Sequence, residues 1–523
     1  MKAVWRILIP VLALALLFIL PGPGFAAEKS LADILKEKGV ISEDEYQQVK
    51  QMEEAQKAQE AKKAEEANRK AADEAAKKAE EAAKKAAPEK PAGLPIAGYN
   101  KGFFLQSPDG KFKLVNNGVL RTLLELYQNN TAQDNQFDLD RARLYFKGFY
   151  GDYWQGEVSF ECTTTSDSKF LKYAYINTSY LPYAQLRIGQ FKAPFSHEYV
   201  DSIAADVDTI KRAMITDSGG INPKYDIGVM VHSGLTSVPG CPYVGDCNAL
   251  NGLFWYGIGV FNGNGANNFD TNDDMDVVGR MRVAPFALTN ISFMKNLSFG
   301  GSFQYGRQTP TQTQSAPKLP TNWSFFQDVK YRGDRTRCGL EGYYRLGPFE
   351  LQGEWIYQTL EREKQVRVDP TTNEIVSSGG KLIDAPDYNE WGWYVLATYF
   401  LWGDKNKGFQ LATRYEFMDA DDDKAADKYL EANPIGKHSP DANSVANPYG
   451  NALNLRGNSA EVLTLGCNYY ISSNIRLALN YYYEWLDNKY TIDRIHHDND
   501  GNEIKTPNGH AMQAIYLLAQ LKW

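Results

Sequence analysis

The stretch DLDRARLYFKG at 138–148 places Arg141, Arg143 and Lys147 at positions of one parity, with Ala142, Leu144 and Phe146 at the other. In an extended chain successive side chains point to opposite faces, so the cations share one face and the apolar residues the other. The arrangement recurs. AQLRIGQFKAPF at 184–195 sets Arg187 against Leu186 and Ile188, and Lys192 joins it if the strand carries a bulge near Gly189. MDVVGRMRVAP at 275–285 supplies Arg280 and Arg282, and DRTRCGLEGYYRLG at 334–347 supplies Arg335, Arg337 and Arg345 with Glu341 on the same face. A guanidinium fork matches the oxygens of phosphate or carboxylate. A ring of such charges around an opening selects ions by sign. The chemistry these residues could do is therefore non-covalent and directed at anions. Glu157, Glu161, Glu350, Glu354, Glu416 and Glu484 share this inward face. The alternative is an Arg–Glu network that only keeps an interior wetted.

Covalent chemistry finds no support. His197, His232, His438, His496, His497 and His510 stand in no nucleophile or metal motif, and DRIHHDNDGNE at 493–503 lacks EF-hand spacing. No enzyme activity, metal or cofactor is expected.

The elements that carry these residues have a period of two. In AMQAIYLLAQLKW at 511–523, Ile515, Leu517, Ala519, Leu521 and Trp523 fall on one side. A soluble edge strand with that face would aggregate. A strand of a closed membrane barrel meets lipid with it. Strand-like runs occur at 111–128, 136–148, 153–164, 169–180, 184–195, 225–235, 252–262, 275–286, 297–307, 335–346, 349–361, 390–402, 408–418, 459–471, 474–487 and 511–523. This predicts a 16-stranded antiparallel transmembrane β-barrel, all-β in class, over 99–523. With both barrel ends in the periplasm, short turns such as LPY at 181–183, LGP at 346–348 and ISSN at 471–474 alternate with long outer loops. The connections after the sixth and eighth runs are longer than that rule expects. Arg on such a strand must face inward, because lipid penalises it by roughly 2–4 kcal/mol near the midplane. The third outer loop, from Ser196 to Lys224, is long enough to fold into the lumen and set a constriction with Lys211 and Arg212.

Upstream, Lys2 and Arg6 precede the apolar run Ile7–Leu20 and small residues near Ala26. This is a signal-peptide pattern over 1–26, too short for a comfortable membrane helix. Residues 27–87 read as a helical hairpin, with capping-box spacing at Ser42–Glu45, followed by an Ala/Lys/Glu-rich helix. Its alanine stripe fits a weak coiled coil or a solvated spacer. Pro88, Pro91 and Pro95 mark a linker over 88–98. Cys241 and Cys247 bracket PYVGD and are candidates for one disulfide, whereas Cys162, Cys338 and Cys467 read as small packing residues.

FLQSPDGKFKLVNNGVLR at 104–121, FDLDRARLYFKGFYGDYW at 137–154 and KYAYINTSYLPYAQLRIGQFKAPFSHEYVDS at 172–202 resemble the phosphate-selective porin O/P family. The resemblance implies an outer-membrane porin of a Gram-negative bacterium, trimeric, with an infolded third loop and a basic lumen that passes small anions such as phosphate. It implies Lys211 and Arg212 at the constriction, with Arg187, Lys192, Arg280 and Arg282 on the facing wall. Partners expected are outer-membrane lipid, two further copies in a homotrimer and no nucleic acid, with peptidoglycan or periplasmic contact through the N-terminal helix. The competing readings are a non-selective general-diffusion porin and a structural barrel that sheathes a partner or anchors the envelope.

Overall fold

A strand with one apolar and one polar face can be stable between lipid and water only if every backbone group is paired, which a closed sheet achieves. The computed structural model shows such a sheet. It describes residues 94–523 apart from 101, 129–133, 164–169, 202–206, 218–220, 234–252, 271, 316, 322–327, 373–378, 421–457, 489–494, 498–502 and 506–511. The expected signal peptide, helical segment and most of the linker lie outside the described residues, as do Cys241 and Cys247.

The barrel strands are β1 Phe112–Tyr127, β2 Gln136–Tyr150, β3 Trp154–Glu161, β4 Leu171–Thr178, β5 Gln185–Lys192, β6 Tyr225–His232, β7 Phe254–Phe261 and β8 Asp276–Val283. They continue as β9 Ser298–Gln314, β10 Val329–Leu346, β11 Phe349–Val368, β12 Lys381–Asp404, β13 Lys407–Ala420, β14 Asn458–Tyr470, β15 Ile475–Asn488 and β16 Met512–Lys522. Each pairs antiparallel with its neighbours in sequence, and β16 pairs with β1 from Ala514↔Tyr127 to Lys522↔Val119. The ring is closed. Just beyond that seam, Gly118 and Trp523 exchange two backbone hydrogen bonds of 3.1 Å. A hairpin of Ile96–Tyr99 and Phe103–Gln106 then pairs with β1 at 113–116 and prolongs the seam. The hairpin begins inside the stretch read from sequence as linker.

Burial follows the alternation. On β16, Met512, Ala514, Tyr516, Leu518 and Gln520 are buried inward, while Leu517 and Leu521 are exposed outward among Leu465, Leu477 and Leu479 of the adjoining strands. Cys338 and Cys467 sit half-buried on the outward parity, and Cys162 is exposed at the end of β3. The wall is uneven in height. Strands β3 to β8 have 8 residues each, near the roughly 9–11 that a tilted crossing needs, whereas β11 has 20 and β12 has 24. Register shifts between Gln308/Gln312, Arg332/Arg335 and Leu360/Arg362 mark where β9 to β12 bend. The long connection after β8 is a chain of turns, ending in a 3₁₀ turn at Ser292–Met294 that receives the Tyr344 hydroxyl at the Phe293 carbonyl, 2.9 Å.

Candidate functional site

The described residues of the third outer loop, 193–201, 207–217 and 221–224, turn into the lumen. Two short helical turns, α1 His197–Val200 and α2 Met214–Asp217, interrupt it. A loop without a ladder leaves its N–H and C=O groups unpaired, and once buried they need side-chain partners. The wall supplies them. Glu354 on β11 accepts the N–H groups of His197 at 2.9 Å and Glu198 at 2.7 Å. Glu416 on β13 accepts Met214 N–H at 2.6 Å, and Asn480 on β15 accepts Ile210 N–H at 2.6 Å. The loop carbonyls are met by arginines. Arg121 on β1 donates to Ile210 O at 2.6 Å, Arg476 on β15 to Val207 O at 2.7 Å, and Arg414 on β13 to Lys211 O at 2.9 Å and Arg212 O at 3.1 Å. Ile210, Ala213, Met214 and Ile215 pack in the core between these polar contacts. The loop is thus a built partition inside the barrel.

The cations picked out by parity divide into two groups. On β8 and β10 they are engaged by acids and amides. Arg280 forks between Asp201, at 2.7 and 3.0 Å, and Glu341, at 2.8 and 2.9 Å, with Trp255 5.2 Å from its guanidinium. Arg282 reaches Asp201 at 3.0 Å. Arg335 pairs with Asp276 and also meets Tyr331 Oη at 3.0 Å, and Arg337 donates to Gln304 at 2.7 Å and Gln358 at 2.8 Å. All four are buried. Arg345 lies half-buried on the same strand. These residues make the network that the sequence left as an alternative to anion binding. Burial alone would raise the Asp201 carboxyl, but Arg280 and Arg282 beside it hold it well below the usual carboxylate range. Its attachment of loop three is therefore complete at neutral pH and is lost only as pH falls through that lowered value. Conductance recorded while the pH is lowered from 7 should show no release of the loop until well under the ordinary Asp value of about 3.9.

The second group lies along β2, β4, β5 and the facing loop. Arg143 is held by Glu161 at 2.7 and 2.9 Å and by Tyr225 Oη at 3.0 Å. Arg187 stacks 4.4 Å from the Tyr175 ring centre and donates to Asn177 at 3.3 Å. Lys192 does reach inward, to the Tyr199 carbonyl at 2.5 Å. No register slip brings it there, since β5 pairs continuously through Gly189. That glycine has φ +127°, a conformation L side chains rarely adopt. Arg212 lies 4.6 Å over Tyr199 from the loop side. Lys211 spans to Asp140 at 3.2 Å and Glu125 at 3.6 Å. Lys147 stands 3.9 Å from Glu157. Arg141 is half-buried and, among the described residues, has no hydrogen bond and no carboxylate within 4.0 Å.

Accessibility does not divide along the same line, since Arg143, Arg187, Lys192 and Arg212 are as buried as Arg282 and Arg335. Lys147 and Lys211 keep 20% and 18% of their side chains exposed, whereas Arg280 and Arg414 keep 0%. Water therefore reaches the β2 side. Two further cations belong there. Lys224 lies 3.7 Å from Asp217 at the end of the loop. Lys172, outward by parity, sits at a register shift between Ser159 and Phe160, and its ammonium lies 6.0 Å from the Tyr225 ring centre. Parity cannot find a residue that a bulge has re-aimed. Arg121, Arg362, Arg414 and Arg476 are buried lumen cations beyond those picked out from the sequence, and Arg121, Arg414 and Arg476 hold loop three.

A family model described as phosphate-selective porin O and P matches residues 122–518. No curated protein matches significantly. Among solved structures, OmpT in its trimer form, an outer membrane protein of Vibrio cholerae, is 14% identical over 79% of this chain and 100% of its own, with TM-score 0.43. An anion-selective porin from Comamonas acidovorans is 12% identical, covering 79% of this chain and 100% of its own, with TM-score 0.45. Salmonella typhi OmpF in complex with daunomycin is 11% identical, covering 82% and 100%, with TM-score 0.41.

Proposed function

This chain is an outer-membrane porin of the phosphate-selective porin O and P family, and on that premise we propose that it passes small anions passively along the β2 side of its third loop. The observation that carries the reading is the contrast between the two groups of cations. Arg280, Arg282 and Arg335 are paired with carboxylates and shut in, while Arg141, Lys147, Lys172, Lys211 and Lys224 keep part of their surface open to water. Arg141, with no carboxylate within 4.0 Å among the described residues and its Nε unbonded, offers its charge to a passing oxyanion. Phosphate is the anion class the family suggests, and a homotrimer the assembly. Asp138 and Asp140 at the same wall favour the second reading, a general-diffusion porin with little sign preference. A third role belongs to residues 28–95, whose deletion should leave conductance intact and disturb the envelope if they anchor it.

The deciding experiment is single-channel recording in a planar bilayer under a salt gradient, with phosphate then added. A reversal potential on the anion side and block of chloride current by phosphate are expected. Arg141→Ala should shift the reversal potential toward zero and weaken the block, without lowering the unfolding temperature. Cation preference in the native protein would leave general diffusion as the function.

A further inference from the structure

We infer that Glu461, on the lipid-facing side of β14, and the aromatic rings around it form a seat for an ammonium-bearing lipid headgroup of the outer leaflet. Its chain neighbours Ala460 and Val462 are 1% and 0% exposed, so alternation turns Glu461 outward, where it is half-buried. It is the fourth residue of β14 counted from the outer end. Toward the periplasm on the same face come Leu463 and Leu465, which belong to the apolar band. The cross-strand partners of Glu461 are Phe417 on β13 and Trp485 on β15. Directly opposed side chains start about 4.5–5.5 Å apart, so the carboxylate has an aromatic neighbour on each side. Tyr415 donates its hydroxyl hydrogen to Glu461 Oε2, and Tyr483 packs edge-on against Trp485 at 4.3 Å.

A charge on the lipid face of a barrel strand is unfavourable at the midplane and tolerated near the interfaces, the level that aromatic girdles mark. Glu461 stands at that level, between the leucines below and the loops above. Among the described residues, its Oε1 receives no hydrogen bond, and no Lys or Arg lies within 4.0 Å of the carboxylate. Asp419, two residues beyond Phe417 on the same face, adds a second acid above it. A carboxylate set among rings attracts a cation twice, through its own charge and through the negative ring faces. A lipid phosphate at the same spot would be repelled by both acids. A soluble amine would find the charge but make no use of the leucines. An ammonium carried on a lipid reaches Glu461 while its acyl chains lie along Leu463 and Leu465.

The test uses the full-length protein in detergent, with phosphatidylethanolamine as the probe and phosphatidylglycerol of the same acyl chains as the comparison. Lipid retained on the protein is measured by native mass spectrometry, after each variant is shown to be folded by its heat-dependent gel mobility. The native chain should retain phosphatidylethanolamine about two- to five-fold over phosphatidylglycerol. Glu461→Gln should erase that preference and leave unitary conductance and reversal potential unchanged, since the side chain lies outside the lumen. Trp485→Leu should lower the preference part of the way, and it decides if Glu461→Gln fails to fold. Absence of the preference in the native chain, or its persistence in the folded variants, would overturn the proposal. Loss of the oligomer in Glu461→Gln with the headgroup preference intact would also overturn it, and would assign this face to a second copy of the chain.

Discussion

Arg414→Ala is expected to release loop three and widen the channel, giving a severalfold rise in unitary conductance. The side chain is fully buried and serves several acceptors at once. It donates to Thr209 Oγ1 at 2.8 Å and to the loop carbonyls of Lys211 and Arg212. It also stands 2.9 Å from Glu416 and 3.6 Å from Glu198. Truncation would leave two buried carboxylates without their cation. Removing one partner of such a group costs about 3–5 kcal/mol, because the remaining charge is uncompensated. The simplest relief is for the loop to leave the wall, since Glu198 belongs to the loop and Glu416 is then hydrated. Arg414→Lys should give an intermediate conductance, for an ammonium keeps the charge and loses the fork. An alanine variant that is folded, with unchanged conductance and unchanged sugar exclusion, would show that the loop is held by its apolar packing alone.

The second large effect is expected at the seam. A Cβ on Gly118 would lie 2.0 Å from Cζ2 and 2.3 Å from Cε2 of Trp523. Gly118→Leu must push the indole away while the two backbone hydrogen bonds between these residues hold it in place. Overpacking of this kind costs about 1–3 kcal/mol. It acts where the last strand meets the first, so closure of the ring bears the whole cost. The temperature at which the folded band converts to the unfolded one on a gel should fall by a few degrees. Gly118→Leu combined with Trp523→Gly should recover much of that loss, because the clash is gone. Failure of the double variant to recover would mean that the added side chain strains the backbone rather than the indole ring.

The barrel was legible because it is written locally. Each strand-like run reports its own two faces, and the run ending at Trp523 needs no knowledge of its neighbours to show lipid on one side. All the strand-like runs correspond to barrel strands, though β9 to β12 extend further outward than their runs. Loop three was legible as an infolded element from its length and position. What the sequence did not show is which lumen cation meets which acid. Arg280 finds Asp201 on a loop and Glu341 two strands away, and nothing in either stretch names the other. Arg121, Arg414 and Arg476 hold carbonyls, and a carbonyl has no signature in sequence. Lys172 was hidden by a bulge, and the burial of Leu319 and Thr321 by partners on the opposite wall.

The uneven wall has a consequence for how solutes arrive. Strands β11 and β12 rise well above the short strands β3 to β8. The rim is therefore a parapet on one side and a low sill on the other. Solutes are expected to enter more readily from the flank of the short strands, beside the wall that carries Lys172, than from the flank of the long ones.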